Sequence, residues 1–136
     1  MIMYLLDTNI LSELVKKKPN DNLIARLESV PFISLYTASI CIMELRYGAL
    51  RMKNGEDLWA KIQTRIVSKL QIIPFSYKEA LKAAEILHEL YSVGRPIGIE
   101  DIMIASIALS NRLIVISGNI KYFSRVPNLP VENWLW

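Results

Sequence analysis

Apolar residues in this chain fall into two patterns: short unbroken runs, and longer stretches spaced for one face of a helix. The runs are Tyr4–Leu6, Phe32–Leu35, Leu70–Phe75 and Leu113–Ile116. Short, and rich in Leu, Ile, Val and aromatic residues, they read as strands buried on both faces. Leu113–Ile116 is the clearest of them, whereas Pro74 weakens the third. Between the runs lie helical patterns. Thr8 or Asn9 caps a helix to about Lys16, beyond which Pro19 stops it. A second helix, Asp21–Ser29, places Leu23, Ile24 and Leu27 on one face and ends before Pro31. Thr37 or Ser39 caps a third, through about Met52, and after the Asn54-Gly55 turn signal a fourth covers Asp57–Ser68. Ser76 caps Tyr77–Ser92, where Leu81, Ala84, Leu87 and Tyr91 recur near the helical period. A Gly94–Gly98 loop leads to a nearly all-apolar helix, Glu100–Asn111. Pro127 and Pro130 leave the tail one short edge strand, near Val131.

Strands alternating with helices predict an α/β fold built on a parallel sheet covered on both faces. No repeat, low-complexity tract or linker divides the 136 residues, so one domain over residues 1–136 is expected. An apolar share of 52% exceeds what a core of this size needs, which suggests an oligomer interface. The longest uncharged stretch, Ser29–Met43, is too short for the roughly 20 residues of a membrane span and contains Pro31. No secretory signal pattern opens the chain. A lone cysteine, Cys41, excludes an internal disulfide and fits a reducing compartment such as the cytoplasm.

Charge changes the picture where it interrupts the apolar segments. Asp7 follows the first strand directly, Glu44 lies among Ile40, Ile42, Met43 and Leu45, and Asp101 opens the apolar helix. A carboxylate in such a setting is costly unless its charge is compensated. Glu44 shares its helix face with Ile40 and Gly48. It reads either as a carboxylate turned inward or as a helix-edge charge reaching water. Asp101 reads either as a complement to the helix dipole, a role Glu100 can also fill, or as a crevice acid. Ligands of open parallel sheets gather outside the carboxyl ends of strands, which brings in Ser117 and Asn119 after the Leu113–Ile116 strand.

Oxygen donors without a His/Cys set favour a hard cation, Mg2+ or Mn2+, over zinc. Setting the three acids aside leaves 10 acids against 16 Lys and Arg, a balance that suits phosphate-bearing ligands. The single His88 excludes a two-histidine nuclease. No P-loop and no G-x-S-x-G elbow is present. Metal-assisted hydrolysis remains.

In order and spacing these residues resemble the PIN-domain ribonucleases, in particular VapC-type toxins of toxin–antitoxin pairs. The resemblance rests on Leu5-Leu6-Asp7-Thr8-Asn9, Met43-Glu44-Leu45-Arg46-Tyr47-Gly48, and Gly94-Arg95-Pro96-Ile97-Gly98 ahead of Asp101. It continues through Asn119, Phe123 and the tail from Arg125 to Trp134. It implies a three-layer α/β/α fold with four to five short parallel strands. It also implies an RNA substrate, a Mg2+ or Mn2+ cofactor, an antitoxin partner and a homodimer. Asp7, Glu44 and Asp101 would be the catalytic acids, with Asp7 and Asp101 on the metal. Thr8, Asn9, Ser117 and Asn119 would support them, with Arg46, Arg95 and Arg112 as phosphate contacts. Tyr122 stands where many members carry a further acid, which argues for one firmly held ion. The competing expectations are an RNA-processing ribonuclease without a toxin role and a non-enzymatic signalling module. The second fits poorly, because Phe32–Leu35 is followed by Tyr36-Thr37 and Leu113–Ile116 by Ser117, where a receiver needs a phospho-acceptor Asp and a Lys.

Overall fold

A computed structural model describes all of residues 1–136. Five strands, β1 (Met3–Leu6), β2 (Leu35–Ala38), β3 (Gln71–Ile73), β4 (Leu113–Ile116) and β5 (Val131–Glu132), form one parallel sheet in the order β3-β2-β1-β4-β5. Successive strand residues face opposite sides of a sheet. Leu5 and Leu6 are both fully buried, as are Val115 and Ile116, so helices cover both faces. This is the α/β/α arrangement expected. The helices are α1 (Thr8–Leu14), α2 (Asp21–Glu28), α3 (Ser39–Leu50), α4 (Gly55–Ile62), α5 (Tyr77–Ser92), α6 (Ile99–Asn111) and α7 (Ile120–Phe123). None is long and apolar enough to cross a membrane.

Several boundaries differ from the expected ones. Phe32–Ser34 forms a 3-10 turn, closed by the Ser34 N–H donating to the Pro31 carbonyl at 2.9 Å. The strand therefore starts at Leu35, and Phe32 and Ile33 remain exposed. Asp7, not Thr8 or Asn9, caps α1, accepting the Ile10 N–H at 3.1 Å. The helix also stops at Leu14, short of Lys16. No side chain caps α3, because the Thr37 hydroxyl donates instead to the Leu6 carbonyl at 2.7 Å. The single helix expected over Asp57–Ser68 is α4 followed by a π-type turn, Gln63–Val67.

The Ser76 cap of α5 is a full capping box with Glu79. The helix ends at Ser92, and beyond its cap Val93 the chain turns at Gly94, in the left-handed region at φ 69° that favours glycine. Its buried face, however, is Glu79, Ala83, Ile86 and Leu90, while Leu81 and Tyr91 point outward. The sequence offers α5 two apolar stripes, and packing against α6 selects the one that periodicity did not favour. That neighbour, α6, is apolar nearly all round and buried accordingly. The tail packs onto the core through Trp134, edge-on to Tyr4 at 4.8 Å and beneath the Arg26 guanidinium at 5.1 Å.

Candidate active site

The strand order reverses at β1, which pairs with β2 on one side and β4 on the other. A crevice at the carboxyl ends of β1 and β4 follows from that reversal. Register sets Leu6 against Ile116, so Asp7 leaves the sheet beside Ser117. The Asp7 N–H closes the pairing on the Ile116 carbonyl at 3.1 Å. Asp7 is 4% exposed. One carboxylate oxygen accepts the Ile10 N–H, and the other accepts a short hydrogen bond from the Ser117 hydroxyl. The Ser117 oxygen in turn accepts the Asn119 N–H at 2.8 Å.

Glu44, on α3 after β2, enters from one side. Its Oε1 accepts the Thr8 hydroxyl at 2.7 Å, which ties α3 to the first residue of α1. Asp101, in the first turn of α6, enters from the other, and Asn119 Nδ2 approaches its Oδ2 at 3.4 Å. Both acids are half-buried. Glu44 is thus turned toward α1, and Asp101 toward the loop that carries Asn119.

No Lys or Arg forms a salt bridge with any of the three acids. Burial pushes the Asp7 carboxyl up to about 6. The hydrogen bonds from Ser117 and Ile10 oppose this, and the charges of Asp101 and Glu44 add to it. Asp101 is likewise raised, by burial and then by Glu44 and Glu100. Burial and the two neighbouring acids outweigh the two donors to Asp7.

The donor set fits the hard cation that the chemistry calls for: carboxylate oxygens, a serine and an amide, with no imidazole. No three His, Cys, Asp or Glu side chains close up tightly enough to enclose an ion by themselves. Cys41 lies beside Thr8 and Thr37 beneath the site. Burial pushes its thiol up to about 11, so it stays protonated and serves as core.

Other expected site residues are placed differently. Asn9 is exposed and makes no side-chain hydrogen bond, so the support expected from it comes from the Ile10 N–H and Ser117. Arg46 is near Glu44 in sequence, but residues two apart do not share a helix face. Its guanidinium bonds Glu56 at 3.3 Å and lies over Trp59 at 5.0 Å. Arg112 caps the far end of α6 in a left-handed conformation, φ 57°, where β4 begins. It therefore stands at the amino end of the β1–β4 pair, opposite the carboxyl end that carries Asp7. Arg95 stays exposed, in the loop entering α6.

Two supporting residues were not anticipated. Thr37 holds the end of β1, and Arg125, stacked on Tyr122 at 4.9 Å, ties α7 to the Pro96 carbonyl at 2.9 Å. Neither contact leaves a local sequence signal, since both partners are distant along the chain.

Comparison with known proteins agrees with this layout. The model of the PIN domain family matches residues 4–129. "Ribonuclease VapC2" of Rickettsia felis is 36% identical over 138 residues, covering 98% of each chain. "tRNA(fMet)-specific endonuclease VapC" of Salmonella typhimurium is 31% identical over 134 residues, covering 98% of this chain and 99% of the relative. Among solved structures, VapBC2 from Rickettsia felis bound to a DNA fragment from their promoter superposes with a TM-score of 0.89 at 36% identity. The match covers 98% of this chain and 99% of that one.

Proposed function

The chain belongs to the PIN-domain family, and from that premise we propose that it is a Mg2+- or Mn2+-dependent endoribonuclease, the toxin of a toxin–antitoxin pair. One observation carries the reading. Three carboxylates with no counter-cation converge at the switch point of the sheet, and burial raises the innermost above its ordinary range.

Asp7 and Asp101 would hold the cation. When bound, the ion supplies a more acidic water and neutralises charge on the phosphate. Glu44, its carboxylate fixed by Thr8, orients the attacking water and takes its proton. Water oxygen bonds to phosphorus, the bond to the leaving ribose oxygen breaks, and that oxygen gains a proton. Ser117 holds Asp7 in place, and Asn119 braces both Ser117 and Asp101. Beyond RNA, the partners proposed are an antitoxin protein and a second copy of the chain. The exposed apolar stripe Met43, Tyr47 and Leu50 along α3 supports an interface.

The test is cleavage of end-labelled RNA by purified protein. Cutting is expected with Mg2+, is expected to stop with EDTA, and to vanish in Asp7→Asn and Asp101→Asn while both stay folded by circular dichroism. Glu44→Gln should lower the rate by roughly 10²- to 10⁴-fold. Cleavage that persists in EDTA, in either Asp variant, would overturn the mechanism. Induced expression that leaves growth unaffected would replace the toxin role with one in RNA processing.

A further inference from the structure

A groove of about 760 Å³ leads away from the acids between α1, α3 and α4, with Thr8 and Glu44 at its head. Thr8 and Ser12 of α1, with Lys16 just past its end, line one side, and Glu44 and Gly48 of α3, with Arg51 just past its end, line the other. Spacings of three and four residues turn one side of each helical segment into the groove. The seven steps from Glu44 to Arg51 span roughly 10 Å at 1.5 Å per residue. That matches roughly two to three nucleotides of a single strand. The charge is graded along this length, with carboxylates at the head and cations at the far end. Arg51 lies over the Tyr47 ring at 4.9 Å, and Lys16 is 63% exposed with only a surface pairing to Glu13. Such a pairing is weak enough to be exchanged for a phosphate.

Two glycines bordering this region separate what packing requires from what it does not. A Cβ on Gly55 would lie 1.8 Å from the Ala49 carbonyl oxygen, so the α3–α4 corner demands glycine there. A Cβ on Gly48 would meet nothing within 4 Å. Gly48 is nonetheless inside α3, where glycine costs about 1 kcal/mol relative to alanine. No packing contact offsets that cost. What the missing side chain preserves is open groove, one helical turn from Glu44.

We infer that the RNA strand leaves the cleavage site along this groove, its sugar–phosphate backbone passing over Gly48 and its phosphates met by Lys16 and Arg51. The inference rests on the ribonuclease reading and adds the path of the substrate. Continuity with the acids and the cationic far end favour nucleic acid over a protein helix as occupant. The other large groove, about 560 Å³ beside α2 and Leu70, is lined by none of the three acids.

The experiment is fluorescence anisotropy with a short fluorescein-labelled single-stranded RNA, in Mg2+, using Asp7→Asn protein so that the RNA stays intact. Adding Gly48→Leu should weaken binding at least about tenfold, equivalent to roughly 1.4 kcal/mol. Its melting temperature should hold or rise, because leucine is the better helix former. Adding Lys16→Ala and Arg51→Ala together should flatten the dependence of log K on log salt by about 1.4, or 0.7 for each phosphate lost. The surface pair tests the path even if Gly48→Leu disturbs α3. Unchanged affinity in Gly48→Leu together with an unchanged salt slope in the double variant overturns the proposal. So does a Gly48→Leu protein that binds RNA normally but escapes neutralisation by its antitoxin, for the groove then holds protein. Binding here does not depend on cutting, so failure of the ribonuclease reading shows separately, as a wild type that does not cleave.

Discussion

Asp7 and Glu79 are the two most deeply buried carboxylates in the molecule, at 4% and 1% exposure, yet their ionisation is pushed in opposite directions. Burial acts against both charges. At Glu79 the hydrogen bonds from the Ser76 hydroxyl and from Asn111 outweigh it, and the carboxyl falls below its ordinary range. The Ser76 N–H adds a bond at 3.1 Å, and the Lys78 ammonium lies 3.9 Å away. Asp7 has two donors and faces two further acids. Helix α6 links the two clusters, with Asp101 in its first turn and Asn111 in its last, roughly 15 Å apart. Burial of an acid is therefore no mark of function by itself. The balance of donors against like charges separates a structural clamp from a carboxylate left uncompensated.

Substitutions sharpen this contrast, the largest effect being the loss of cleavage in Asp7→Asn. If Glu79 is purely structural, the equivalent change there acts on stability. Glu79→Ala should cost about 3 kcal/mol, since it removes the capping box and leaves Asn111 and Ser76 short of a partner. Denaturant melts would report that loss, and cleavage below the melting range should persist. Abolished cleavage by folded Glu79→Ala would break the distinction.

Asp7→Asn should have the opposite effect on stability. In metal-free protein, a carboxyl raised from 3.8 to about 6 destabilises the fold once it ionises. The penalty is absent below about pH 3.8 and grows as pH rises toward 6. Above that it is constant at roughly 2 to 3 kcal/mol. The variant should thus melt higher than wild type at pH 7 in EDTA, with the gap closing on acidification. Glu79 runs the other way: its stabilisation is full above its unfolded value of 4.5 and fades as pH falls through its lowered folded value. An Asp7→Asn advantage independent of pH would contradict the assignment of its cause. Smallest is Arg112→Gly, which relieves a left-handed non-glycine residue and should gain about 1 kcal/mol with cleavage unchanged. Reduced cleavage there would restore Arg112 to the RNA contacts.

The strands at β1 and β4, α6 and the Ser76 start of α5 were legible because each is written in contiguous residues. The clamp at Glu79 was half legible, as Ser76 and Glu79 form a local cap, while Asn111 joins them from 32 residues away. Errors came where two local answers compete. α5 has two apolar stripes, and the stretch around Phe32 has both strand propensity and a turn-closing Ser34 after Pro31. Arg46 is two residues from Glu44 in sequence, yet its guanidinium pairs with Glu56, a contact that only the packing of α3 against α4 creates.

By itself, then, the sequence determined which carboxylates interrupt apolar segments and that no histidine set accompanies them. It also determined the alternation of strand and helix, because side-chain periodicity and caps are local properties. The tertiary structure decided which groups meet. Parallel pairing of β1 with β4 puts Ser117 on Asp7, the joining of α1 to α3 puts Thr8 on Glu44, and a groove opens over Gly48. These contacts join residues 36 to 110 positions apart. Only packing of the whole sheet and its helices fixes such distances, and with them the raised carboxyl of Asp7.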